Sequence, residues 1–336
     1  MAVYGLWQSA NGSGRIVASR PLSEQLLKLT AAEADDGLRL QAHHSAWATC
    51  LFTGEFMAGR EHCEVGRRLY DPERHHSHSL LYGGHDPGVC AGFIGAQLHW
   101  LTGYPERALE IEAHALALAD RIGHPLSREL VLLYSAMLHL NRGEPEPALQ
   151  SLDAVEALVA EQRLGFLLEP RFVRGVALTA KGALEQAVAC LREGLPSRLA
   201  AVRYRPYGLA GLAEALTRQG EHGAALAAAR EGMATQEETG QRLWEAELHR
   251  LEGISLLGLD RMDEGQNALE EALRIARRQQ AKSYELRAAT SLARLWREQG
   301  RRAEARELLA PIYGWFTQGF GTADLKAAKG LLDELT

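Results

Sequence analysis

Three observations predict an all-α chain of stacked helical hairpins. A glycine-marked turn recurs at a nearly constant interval, small residues bracket each turn, and the segments between carry apolar residues at helical spacing. The turn is a Gly followed five positions later by a small residue. It is clearest at Gly103 with Ala108, Gly143 with Ala148, Gly182 with Ala187, Gly220 with Ala225 and Gly300 with Ala305. Weaker copies are Gly14 with Ser19, Gly54 with Gly59, and Asp260 with Gly265. The anchors at 14, 54, 103, 143, 182, 220, 260 and 300 are 40, 49, 40, 39, 38, 40 and 40 residues apart, so eight units fill residues 1–336 as one array without a linker.

Within each unit the small residues explain the hairpin. Ala96, Ala136, Gly175, Ala213, Gly253 and Ala293 each lie seven positions before an anchor. Small side chains on both sides of a turn let two helices approach closely, where bulky ones would hold the backbones apart. Residues 130–140 and 268–276 carry apolar side chains at three-four spacing, and Pro125, Pro170 and Pro206 punctuate the joins between units. The 49-residue interval holds about nine surplus residues, which places an inserted loop at 71–88. In a solenoid such a loop is expected to leave the edge of the stack. At the ends, residues 322–335 read as an amphipathic capping helix. Val3, Leu6 and Trp7 read as an inward face with nothing upstream to cover it, an apolar patch expected either to drive homodimerisation or to mark where a larger protein was truncated.

Composition narrows the partners. Hydrophobic residues make up 46% of the chain and charged residues 24%, enough for a substantial core. Lys and Arg number 37 against 43 Asp and Glu, a net charge of −6, so no global basic field exists to hold a nucleic acid backbone. The N-terminus lacks a basic-then-apolar signal and no apolar run is long enough for a membrane span, so a cytoplasmic chain with reduced cysteines is expected.

The Gly-x-x-x-x-Ala turns and their flanking small residues resemble tetratricopeptide repeats, in a form of about 40 residues rather than 34. The segments at 69–75, 82–90, 101–108, 243–249, 276–288 and 309–320 are similar to the C-terminal helical region of large bacterial signalling proteins. Those are nucleotide cyclases and STAND ATPases, related in architecture to MalT-like activators. The resemblance implies a right-handed superhelix whose concave face binds a protein, a peptide or a small effector in signalling or regulation. It does not bring the ATPase or cyclase, because no G-x-x-x-x-G-K-[ST] occurs. In the family register the concave face carries His44, Phe93, Gln97, Trp100, Met137, Phe172 and Tyr207, then Glu214, Arg218, Glu247, Arg250, Arg287, Arg294 and Arg297. An aromatic half followed by a cationic half suits an amphipathic ligand with a carboxylate. The aromatics equally suit core packing, and Arg287, Arg294 and Arg297 equally suit a solvated face paired with Glu285, Glu298 and Glu304.

Histidines concentrate early: eleven of 13 lie between His43 and His139. His75, His76, His78, His85, Asp86 and Cys90 are the candidate metal ligands, although their spacing matches no established zinc framework. A structured loop is the alternative, with Gly83 and Gly84 forming a turn and Asp86-Pro87 starting the next helix. A metal-dependent or thiol enzyme around these residues is the competing functional reading. No H-E-x-x-H or G-x-S-x-G occurs, and neither a catalytic residue nor a cofactor is expected.

Overall fold

A computed structural model describes residues 2–163, 169–196 and 202–336, and among these are nineteen helices and no strand. They pair as α1 (Ala2–Gly12) with α2 (Ile16–Thr30), and α3 (Asp36–Thr53) with α4 (Phe56–Leu69). Two one-turn helices follow, α5 (Pro72–His75) and α6 (His78–Leu81). The pairing resumes with α7 (Pro87–Leu101) and α8 (Pro105–Ile122), α9 (Pro125–Arg142) and α10 (Pro145–Gln162), and α11 (Pro170–Ala180) and α12 (Leu184–Gly194). The last three pairs are α13 (Arg205–Gln219) with α14 (His222–Thr239), α15 (Glu245–Leu257) with α16 (Met262–Arg278), and α17 (Lys282–Glu298) with α18 (Arg302–Gly314). The closing helix α19 (Ala323–Glu334) buries Leu325, Ala328 and Leu331 against the last pair.

Every anchor of the repeat has a positive φ: seven glycines between 78° and 92°, and Asp260 at 59°. A residue in this left-handed region turns the chain out of the first helix while its N–H still bonds back to that helix, and glycine adopts it without a Cβ penalty. Asp260 shows that the conformation, rather than the residue, defines the repeat. The small residues sit where the helices cross. Ala136, Ala148, Ala213, Ala225, Ala293 and Ala305 are fully buried. A Cβ on Gly175 would stand 2.4 Å from Leu191 Cγ, and one on Gly253 would stand 3.0 Å from the Gly265 carbonyl oxygen.

The superhelix coils back onto itself after five hairpins. The first turn, at Gly14, lies against Val202 and Arg203 at the entry to the sixth hairpin. The second lies against Arg242 and Gln279, and Arg242 donates its backbone N–H to the Phe52 carbonyl at 2.7 Å. The third, at Gly103, meets Lys282 and Trp315, and Ser283 Oγ donates to the Trp100 carbonyl at 2.5 Å. The fourth, at Gly143, meets Ala323 of α19. Between α18 and α19, Gln318 Oε1 accepts the backbone N–H groups of Glu106 and Arg107, both at 2.9 Å, which satisfies two donors of the first turn of α8.

Two expectations change in detail. The insertion does not splay from the edge of the stack. His78 packs on Gly37 of α3, and Tyr82 meets the Tyr4 ring edge-on at 5.1 Å. Its aromatic side chains gain burial by folding onto the first two hairpins. At the N-terminus, Trp7 is buried and donates its indole N–H to Thr49 Oγ1 at 3.0 Å, Val3 is half-buried, and Leu6 is 60% exposed. No helix among the described residues is long and apolar enough to cross a membrane.

Candidate functional site

Five inner helices, α9, α11, α13, α15 and α17, and the cap converge on one cavity of about 330 Å³. Tyr284, Arg287, Ser291 and Arg294 recur at three-four spacing on α17, so one face of that helix lines it. Glu247 and Arg250 reach it from α15, Tyr207, Glu214 and Arg218 from α13, Thr179 from α11, and Asp324 from α19. Trp244 and Tyr284 join Tyr207 at its aromatic side.

The charges inside are unequally satisfied. Arg250 bonds Glu247 at 2.7 Å and Glu214 at 3.0 Å. Arg287 bonds Asp324 at 2.8 Å and the Asn141 carbonyl at 3.1 Å, and its guanidinium lies 5.0 Å from the Trp100 ring centroid. Burial would release the proton from either arginine, but the neighbouring carboxylates more than offset it and raise both above the ordinary range. Burial alone would push the Glu247 carboxyl up, yet Arg250 and Arg287 hold it below its usual value. Arg218 donates to the Thr179 carbonyl and, among the described residues, has no carboxylate partner. Arg294 has no ion pair among the described residues, and burial together with the nearby Arg250 and Arg297 pushes it down. The cavity thus holds two arginines neutralised by carboxylates and two that are not.

The sequence-predicted set divides cleanly. Tyr207, Glu214, Arg218, Glu247, Arg250, Arg287 and Arg294 surround the cavity together. Arg297 lies outside it, paired with Glu298 and Glu334. Of the other acids considered for a solvated face, Glu285 pairs with Arg277 and Lys282, and Glu304 with Arg301. The aromatic half is not an open floor, because the chain itself fills it. Trp100 meets Tyr284 edge-on at 5.7 Å, Phe93 packs on Tyr134 at 4.5 Å, and Gln97 donates to the Tyr134 carbonyl at 2.8 Å. Met137 is buried, and Phe172 packs between Gly194 and Gly208. His44 stacks on Trp47 at 5.0 Å. The later hairpins supply the partners that an open groove would leave to a ligand.

The histidine-rich candidates are likewise divided. Asp86 caps α7, with Oδ1 accepting from Gly88 and Val89 and Oδ2 from the Tyr70 hydroxyl. His76 Nδ1 lies 3.4 Å from that same Oδ2. His75 accepts the Asp71 N–H at 3.0 Å, and His78 meets the Gln41 amide at 2.9 Å. Of the six, His85 and Cys90 fall in a three-residue cluster of ligand atoms among the described residues, and the residue that completes it is His44.

Tyr284, Thr290 and Ser291 are cavity residues that the register did not pick, though they lie one turn or less from Arg287 and Arg294 on the same face. Asp324 could not have been placed that way. It reaches Arg287 from a helix outside the repeat.

The fold is that of a tetratricopeptide-repeat solenoid. The sequence model of the tetratricopeptide repeat matches residues 286–311, which span the turn between α17 and α18. Over 256 residues the chain is 27% identical to an uncharacterized protein of Rhizobium meliloti (strain 1021), a match covering 75% of this chain and 25% of that protein. The chain therefore spans about a quarter of the length of this curated relative. A Rap protein complexed with Competence and Sporulation Factor superposes over 99% of this chain and 95% of its own, with a TM-score of 0.62 and 11% identity. NprR in complex with its cognate peptide NprX superposes over 99% and 98%, with a TM-score of 0.57 and 10% identity. A chain of the APC/C hetero-tetramer Cut9-Hcn1 gives 0.57 at 13% identity, over 96% of this chain and 53% of that one. At these identities the likeness is one of fold.

Proposed function

We propose that the chain is a non-catalytic sensor or scaffold module of a cytoplasmic bacterial signalling system. In this reading it binds the anionic end of a peptide, or a small anionic effector, in the cavity between α13, α15, α17 and α19. The observation that carries the reading is the pair of cavity arginines, Arg218 and Arg294, left without carboxylates among the described residues beside a fully paired set. A guanidinium in a partly dehydrated cavity is a ready partner for a carboxylate, and its planar fork gives direction as well as charge. A volume of about 330 Å³ is small for a binding site, and the chain's own side chains fill the aromatic half. A peptide terminus or a compact effector therefore fits better than a long segment. The complexes of Rap with its factor and of NprR with its peptide support the reading by fold.

A test is fluorescence anisotropy with a fluorescein-labelled random hexapeptide pool, made once with free C-terminal carboxylates and once amidated. The free-acid pool should bind better, and Arg218→Glu with Arg294→Glu should weaken it at least about tenfold, in line with the loss of a charge-assisted hydrogen bond. Equal binding of both pools, or no loss in the double variant, removes this function.

A further inference from the structure

We propose that His44, His85 and Cys90 form a three-ligand site for a borderline divalent metal, zinc in the first instance, which pins the histidine-rich insertion to the second hairpin. The ligand atoms of the three side chains lie within 4.8 Å of one another. His44 comes from the middle of α3, Cys90 from the first turn of α7, and His85 from the segment between α6 and α7.

The geometry suits a metal. His44 Nε2 and His85 Nε2 face each other at 3.2 Å. Two imidazole nitrogens bound to one zinc at about 2.0–2.1 Å, at a tetrahedral angle, stand about 3.3–3.4 Å apart. The outer partners fix the rings for this task. His85 Nδ1 lies 3.0 Å from the Gly83 carbonyl, which only accepts, so Nδ1 carries the proton and Nε2 offers its lone pair. His44 Nδ1 lies 3.1 Å from Gln41 Oε1, while the amide nitrogen of the same Gln41 meets His78 at 2.9 Å. The Tyr4 hydroxyl meets the same Nδ1 at 3.2 Å, so His44 Nδ1 has both a donor and an acceptor beside it. In the metal-free chain one N–H···N hydrogen bond accounts for the contact between the two Nε2 atoms, and metal binding moves that proton to His44 Nδ1, where Gln41 Oε1 accepts it. Trp47 Nε1 donates to Cys90 Sγ at 3.5 Å, a hydrogen bond that would also stabilise a metal-bound thiolate.

A divalent ion displaces the thiol proton and binds the sulfur, releasing one proton per metal, and the thiolate offsets part of the metal's charge in a dry site. Imidazole and thiolate together are the donors a borderline metal takes. Three protein ligands leave a fourth tetrahedral position for water or another small donor.

The experiment uses the full chain purified without an affinity tag, stripped with chelator and titrated with cobalt(II). Expected are saturation at one equivalent, a sulfur-to-cobalt charge-transfer band in the near ultraviolet, about one proton released per cobalt, and a higher Tm with zinc. Cys90→Ser should lose the band, while Cys63→Ser, which changes a buried cysteine outside the set, should keep it. Folded wild-type protein that takes up no cobalt overturns the proposal whatever the variants do. So does a charge-transfer band that survives in Cys90→Ser.

Discussion

Arg250 and Arg294 bring the same charge to one cavity, but the chain treats them in opposite ways. Arg250 is held by two carboxylates in a largely buried setting, so its removal leaves Glu214 without this ion pair and Glu247 with Arg287 alone. Breaking a buried pair from one side costs about 3–5 kcal/mol. Arg250→Ala should therefore lower the urea midpoint markedly. Arg294→Ala removes no pairing among the described residues and should stay within about 0.5 kcal/mol of wild type while weakening any anionic ligand. Equal stability losses in the two variants would show that the cavity charges are structural alone. His43 supplies a pH test at the same scale. Its ring meets His62 at 2.9 Å, and burial, then His62 and Arg39, lowers it to about 4. Its folded value lies below the ordinary 6.5, so the unfolded chain binds the proton more readily. The stability His43 contributes is therefore present above about pH 6.5 and is lost as pH falls towards 4. Thermal melts across that window should show Tm falling with acid, and His43→Asn should flatten part of the fall.

At the level of the hairpin, the repeat was legible because its turn imposes a backbone state that few residues accept. Gly220 and Asp260 isolate that demand. A Cβ on Gly220 would meet nothing within 4 Å, so Gly220→Ala tests the φ of 81° alone and should cost about 1–2 kcal/mol. Asp260→Gly relieves the same strain where the native residue carries it, and should stabilise by about 0.5 kcal/mol once the entropy of the added glycine is counted. Gly175 makes a different demand. Its missing Cβ leaves room for Leu191, so Gly175→Ala should cost about 1–3 kcal/mol through overpacking at a normal φ. Chemical denaturation of the three variants separates turn strain from helix approach. If Gly175→Ala is tolerated as well as a surface change, close helix contact is not what the small residues provide. The surplus of the 49-residue interval was legible as an insertion, but its packing on α1 and α3 was not. That packing depends on which aromatic neighbours lie within reach, and Tyr4 and Tyr82 are separated by 78 positions.

The molecule as a whole follows from superhelical pitch, which no local pattern states. Phe52 bonds to Arg242, Trp100 to Ser283 and Asn141 to Arg287, pairs separated by 190, 183 and 146 positions. Each joins a turn to a hairpin five units on, or to the unit beside the cap. This is why the cationic half of the predicted inner face gathers around a cavity while the aromatic half is sealed: the later units cover the earlier ones, and the last have only α19 to cover them. The cap is thus part of the closure. Ala323 touches Gly143 at the fourth turn, and Asp324 beside it binds Arg287. A bulky side chain at 323 must therefore push α19 away from the fourth hairpin and break the Asp324 contact with it. Ala323→Phe should leave far-ultraviolet circular dichroism unchanged, since no helix loses an internal bond. It should still destabilise by about 1–3 kcal/mol and increase hydrogen exchange in α9, α17 and α19 together. Exchange confined to α19 would mean that the cap rests on the last hairpin alone, and that the coil closes without it.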